Sequence, residues 1–287
     1  MAPKSALSWV SFKPAALSVL RRLRVQPGKI TAVALATFFL GIAAAGAAET
    51  ISIIPSADAT LFEVNPANSA GGADYFNAGT TQNGTRNRAL LQFDVASVIP
   101  SGAQITSVDL QVEVLRRPSD GFEVSLFGLH RVLQPWGEGN TIPVGNPGGL
   151  GAPAAPGDAT WLYRFAFNET WAAPGGAADV DYVNTLSSSA FIYGLGTYHF
   201  EGSQDMIGDV QSWLDHPESN FGWMLMCQTE ELPFTARRFG SRENPNSAPV
   251  LTIEFIPVPE PGTLSLGAIG LGALVLVRGC RKACERV

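Results

Sequence analysis

The sequence closes its own foldable region at Val258-Pro259-Glu260-Pro261-Gly262. Proline lacks an amide donor and fixes its own φ, so neither a strand nor a helix runs through this stretch. Residues 263–277 then carry no charged side chain, and Arg278, Arg281, Lys282 and Arg286 follow. From Gly262 to Val277 a helix rises roughly 24 Å, short of the ~30 Å hydrocarbon core. Snorkelling arginines or local thinning close that difference. The basic cluster predicts a cytoplasmic C-terminus with everything before Pro259 outside.

The other end has a matching constraint. Lys4, Lys13, Arg21, Arg22, Arg24 and Lys29 precede an apolar run over residues 30–45, and Ala45-Gly46-Ala47 offers small residues for cleavage. That order reads as a secretory signal peptide over residues 1–47. Residues 48–257 remain for one globular domain, and residues 258–287 form the tail.

Charge separates the middle from both ends. Between Glu49 and Val258 there is no lysine, and nine arginines face 23 acidic side chains, a net charge of −14. A domain this acidic repels nucleic acid and anionic membrane surfaces, so no nucleic-acid partner is expected. Cys227 is its one cysteine, which leaves no intramolecular disulfide; inside Trp223-Met224-Leu225-Met226-Cys227 it reads as a small buried hydrophobe.

The middle is patterned for strands. Val108, Leu110, Val112 and Val114 alternate with Asp109, Gln111 and Glu113, a half-buried strand of period two. Residues 88–95, 122–127, 161–165, 221–227 and 250–255 read the same way, with Gly, Pro, Asn and Asp between them. One helix interrupts the pattern. Ser203 caps it, Met206, Ile207, Val210, Trp213 and Leu214 give its apolar face, and it ends before Pro217. Residues 135–157 are a long Gly/Pro-rich loop. The expected fold is all-β, a jelly-roll β-sandwich with one short helix, flanked by the signal segment and a C-terminal transmembrane sorting helix.

Two resemblances sharpen this. The Val258–Gly262 motif, short apolar segment and basic end, in that order at the terminus, resemble the PEP-CTERM sorting signal of Gram-negative bacteria. The resemblance implies recognition by an exosortase, a transient anchor in the inner membrane, cleavage near residues 259–261 and delivery to the cell exterior. Three further stretches are similar to the DNRLRE-type domain, a jelly-roll module of bacterial surface proteins and carbohydrate-active enzymes. They are residues 88–105; Trp136-Gly137-Glu138-Gly139 with residues 157–161, Trp171 and Gly175-Gly176; and residues 209–213 with 220–223, 239–243 and 249–251. That similarity implies a binding or structural module related to carbohydrate-binding modules, with no ligand fixed.

Candidate chemistry is sparse. There is no Gly-x-Ser-x-Gly elbow or Cys-x-x-Cys. His130, His199 and His216 show no metal-ligand spacing. Asp205 and Asp209, four apart on the helix, read as its polar face near the positive N-terminal end, although two facing carboxylates are all a glycosidase needs. No catalytic residue and no cofactor is assigned, apart from a structural calcium for which Asp58, Glu63, Asn65, Asn68 and Asp74 supply oxygen ligands. Sugar binding needs an exposed aromatic ring beside polar groups. Trp136 and Trp171, with Trp161, either supply that platform or pin the loop into the core. Arg86, Arg88, Arg237, Arg238 and Arg242 either contact acidic sugars or pair internally with Asp94 or Glu243. The expected function is a non-catalytic, polysaccharide-associated module on an exported surface or matrix protein. A purely structural matrix protein and a surface glycan-active enzyme are the alternatives.

Overall fold

A computed structural model describes residues 47–119, 124–145 and 149–258. The signal segment up to residue 46, and the membrane helix and basic tail expected after Val258, lie outside the described residues. Among the described residues no helix is long and apolar enough to cross a membrane.

The chain begins with β1 (Glu49–Ile53), β2 (Ala57–Phe62), the short β3 (Asn68–Ser69), β4 (Tyr75–Thr80) and β5 (Arg86–Gln92). Next come β6 (Gln104–Arg116) and β7 (Ser125–Arg131). The described residues between 132 and 187 hold only the short strands β8 (Ala152–Pro153), β9 (Tyr163–Phe165) and β10 (Glu169–Thr170). The chain then forms β11 (Ser188–Ile192), β12 (Gly196–Glu201), helix α1 (Gln204–Asp215), β13 (Trp223–Cys227), β14 (Arg237–Gly240) and β15 (Val250–Ile256). Of the strand expected over 122–127, the first two residues lie outside the described residues and β7 begins at Ser125; the strand expected over 161–165 is reduced to β9, with Trp161 buried in the core.

Among the described residues eleven strands join in one antiparallel sheet, in the order β1-β15-β6-β14-β4-β5-β13-β7-β11, with β12 on β6 and β2 on β5. The sheet curls. Phe127 on β7 and Phe239 on β14 are four strand positions apart, roughly 19 Å if flat, yet their ring centroids lie 5.9 Å apart. β6 shows why the fold closes around it. Ile105, Val108, Leu110, Val112 and Val114 are all buried, and the three-residue step from 105 to 108 coincides with a register shift opposite Glu254/Phe255. That bulge keeps both ends of a thirteen-residue strand facing one core. At Gly79 the φ is +97°, and a Cβ there would sit 2.6 Å from the Thr235 carbonyl oxygen. Only glycine lets β4 leave β14 and join β5 at that point.

Helix α1 follows the sequence reading. Ser203 Oγ accepts from the Met206 amide at 3.0 Å, and Met206, Val210, Trp213 and Leu214 are buried in the main core. Trp213 meets Trp223 of β13 at 4.5 Å between centroids.

β13 explains the long segment after β7. Trp223, Leu225 and Cys227 point into the main core, while Met224 and Met226 belong to a second cluster on the opposite face. That second cluster is built from Val132, Trp136, Ala159, Trp161, Trp171 and Tyr182 against Ala59, Leu61 and Leu90. The described residues between 132 and 187 thus form a covering layer, and a strand buried on both faces reads as a continuous apolar run. Trp171→Ala opens a large void in that layer and is expected to cost ~3–5 kcal/mol. Urea unfolding checks it; a loss below ~1 kcal/mol would mean the layer closes over the gap.

Candidate functional site

The structure separates the predicted residues into internal pairs and one open cleft. Arg86 bonds Glu63, with Nε 3.0 Å from Oε2, and that guanidinium holds the Glu63 carboxyl below its usual range. Arg88 makes a bidentate pair with Glu230 at 2.8 and 2.6 Å and donates to the Gly175 carbonyl at 2.8 Å. Both guanidiniums lie over Trp161, at 5.2 and 5.4 Å from its ring centre. Arg242 makes a second bidentate pair, to Glu138 at 2.6 and 2.8 Å, with Glu243 at 3.0 Å. Of the partners expected from sequence, Glu243 takes part; Asp94 instead accepts from the Ser97 amide. The main partners Glu63, Glu138 and Glu230 are distant in sequence, and no local signal marks them.

The exposed tryptophan platform is not there. Trp136 and Trp171 are 8% and 3% exposed, and their ring N–H groups donate to the carbonyls of Phe221 and Thr160 at 2.9 and 2.8 Å. They pin the covering segment because a buried indole needs an acceptor.

The calcium set is also corrected. Glu63 is committed to Arg86, and the side-chain amides of Asn65 and Asn68 donate to the Leu150 carbonyl at 3.1 and 2.9 Å. Asp74 is exposed, whereas Asp58 is 1% exposed and meets Glu138 and Glu243. Arg242 sits among these three carboxylates. Its backbone N–H donates to Asp58 Oδ2 at 2.7 Å, and the Asp58 amide donates to Glu138 Oε1 at 2.8 Å. The junction ties β2, the covering segment and the turn after β14 together. Burial pushes the Asp58 carboxyl up to about 8 and raises Glu138 as well.

Asp209 differs from its sequence reading too. It is a buried group, with Oδ2 accepting from Ser187 Oγ and from Trp223 Nε1 at 2.9 Å. Arg131 Nε lies 3.3 Å from its other oxygen, an ion-pair distance without a hydrogen-bonding angle. Burial raises this carboxyl above the ordinary range.

Four further arginines converge. Arg116 and Arg117, at the end of β6, and Arg237 and Arg238, on β14, line a cleft of about 370 Å³. Asn77, Gln82, Asn83 and Asn87 add amides, and Thr81, Thr85 and Ser119 add hydroxyls. No Asp or Glu is among the described lining residues. Arg237 is fully buried and spends Nη1 on the carbonyls of Phe234, Thr235 and Ala236, so it fixes the floor. Arg238 lies 3.7 Å from the Tyr75 ring centre and reaches Asn77 Oδ1 at 3.4 Å. Burial lowers the pKa of Arg237 and of Arg238. Of this cleft, sequence reasoning named Arg237 and Arg238 but missed Arg116 and Arg117. The clue was available: Arg-Arg-Pro at the end of an alternating strand puts two cations where the strand must stop.

At the far end, β15 runs to Ile256 and hands the chain to Val258, which is exposed. The register sets Glu49 opposite Phe255, so the domain is entered and left at the same place. The segment that leaves defines a class of protein, one whose C-terminus is an export and sorting device. A family model described as the PEP-CTERM protein-sorting motif matches residues 257–282. The chain is therefore an exosortase-targeted, exported protein with a transient membrane-anchored C-terminus. No curated protein matches it.

Proposed function

We propose that the exported domain is a jelly-roll β-sandwich of the DNRLRE type acting as a non-catalytic, polysaccharide-associated binding module at the cell surface or in the extracellular matrix. The observation that carries this reading is the arginine- and amide-lined cleft. Its volume falls within the range of small-ligand sites, and its donors and acceptors are those that sugar hydroxyls require.

Geometry supports the placement. β6 begins beside the strand that leaves for the sorting signal and ends twelve residues later at the cleft, roughly 40 Å away. An anchored chain thus holds the cleft away from the point where its tail departs. The two carboxylates considered for catalysis do not act as a facing pair in this reading, since Asp209 is taken up by Trp223, Ser187 and Arg131.

Affinity electrophoresis of the exported, processed protein tests the proposal, in gels holding neutral or acidic polysaccharides. Retardation by at least one polymer class is the expected result. Unchanged mobility of folded protein in every gel would leave a structural matrix protein without a ligand.

A further inference from the structure

We infer that the turn between β9 and β10 is a stacking site for a neutral pyranose unit of a polysaccharide. Phe167 and Tyr163 supply the ring faces, and Glu169 accepts from a hydroxyl of the same unit. This rests on the polysaccharide reading above and adds a contact outside the cleft.

The backbone of Phe167 is the first observation. Its φ is +66°, in the left-handed region that bulky side chains avoid. Among the described residues three non-glycine residues have such a φ. Asp179 has the short polar side chain that tolerates it, and its Oδ1 accepts from the Asn184 amide at 3.1 Å. Phe234 is half-buried. Phe167 alone combines the strain with an apolar ring that is 63% exposed. Glycine would relieve the strain and remove the exposed ring together, so folding by itself favours glycine there. Strain of this kind collects where a ligand is held.

The turn also holds the ring in place. The buried Ala166 donates its N–H to the Asp158 carbonyl at 2.8 Å, and the Asn168 amide donates to the Phe165 carbonyl at 3.0 Å. Arg164 Nη1 donates to the Pro135 carbonyl at 3.0 Å. The residues on both sides of Phe167 are therefore fixed to the covering layer, and a ring set in advance binds at a lower ordering cost. Tyr163 lies beside it, with ring centroids 5.9 Å apart and the planes at 51°. Glu169, across the turn, has an exposed side chain that meets Arg164 through Oε2 at 2.8 Å, which leaves Oε1 for a ligand hydroxyl.

These features select the occupant. The C–H groups on one face of a pyranose pack on an aromatic ring, while the hydroxyls at its edge need acceptors. Two such rings bury at most ~500 Å², short of the ~800 Å² per partner of a stable protein interface. Glu169, in a domain where 23 acids face nine arginines, turns away acidic sugars and anionic lipid surfaces. A neutral sugar ring fits both the size and the charge.

The test runs the exported, processed protein in affinity gels holding a neutral glucan, galactan or mannan, or the same glucan sparsely carboxylated. Retardation by at least one neutral polymer is expected. Phe167→Gly and Phe167→Asn should bind that polymer about 3- to 10-fold more weakly, and Phe167→Trp should keep wild-type retardation. Glycine and asparagine both accept a left-handed backbone, so neither variant should melt below wild type. Unchanged binding by either variant, or a lower melting temperature in both, would make Phe167 a structural residue and leave the polysaccharide reading intact. Retardation by the carboxylated glucan alone would overturn the neutral-sugar class. Pelleting with phosphatidylcholine vesicles, or a dimer in sedimentation velocity, that Phe167→Gly abolishes would give the ring to a lipid surface or a second copy instead. No retardation of folded wild type in any gel would overturn both this site and the polysaccharide reading.

Discussion

Asp209→Ala should remove about 3–5 kcal/mol of stability, a loss out of proportion to the size of the side chain. The wild-type carboxylate serves three elements at once. It accepts from Trp223 Nε1 on β13 at 2.9 Å and from Ser187 Oγ just before β11, and it faces Arg131 at the end of β7 at 3.3 Å. Deleting it strands the Trp223 N–H, which is fully buried, and removes the counter-charge of a partly buried arginine. Each orphaned group then bears its desolvation cost without return. Asp209→Asn keeps an acceptor for Trp223 and loses only the charge, so it should fall between wild type and alanine. Urea unfolding followed by tryptophan fluorescence reads this directly, because Trp213 and Trp223 pack against each other beside the site, with ring centroids 4.5 Å apart. An alanine loss under ~1 kcal/mol would return Asp209 to the role of an ordinary helix-surface acid.

The same residue shows where sequence reading succeeds and where it stops. Periodicity located α1 and its Ser203 cap because helix geometry and capping are local, and both are visible in a dozen residues. It located β6, β13 and β15 for the same reason. It assigned Asp209 to a polar face because Asp205 and Asp209 are polar and four apart, and helix spacing alone does not reveal what packs against that side. The Trp136 and Trp171 platform failed in a similar way. The Gly/Pro-rich composition around Trp136 predicts a loop, but not that the loop will be laid over Met224 and Met226. The second cluster could be inferred only from β13 itself, whose unbroken apolar run announces two buried faces. β4, β12 and β14 went unread because their identity comes from partners elsewhere in the sheet: β14 is four residues long and two of them are arginine. The cleft is legible in pieces, as two Arg-Arg pairs far apart in sequence. Only the pairing of Arg238 with Arg116 across β14 and β6 brings them together.

The junction of Asp58, Glu138 and Arg242 should make the domain less stable as pH rises from about 4 to about 8. In the unfolded chain Asp58 ionises near its ordinary value of 3.8, whereas burial holds the folded carboxyl neutral up to about 8. Between those values the folded state binds a proton that the unfolded state has lost, so stability falls with increasing pH and levels off above about 8. Glu138, also raised by burial, acts in the same direction. Glu63, lowered by Arg86, opposes it and loses its contribution in acid. Asp58→Asn imitates the neutral acid: its carbonyl oxygen still accepts from the Arg242 amide, and it does not titrate. Unfolding free energies at pH 5, 7 and 9 should show wild type losing roughly 1–4 kcal/mol more than Asp58→Asn across that range. The two proteins should be nearly equal at pH 5 and farthest apart at pH 9. Parallel curves would mean that Asp58 is already ionised in the folded domain at pH 5, with Arg242 strong enough to hold a charge that burial disfavours.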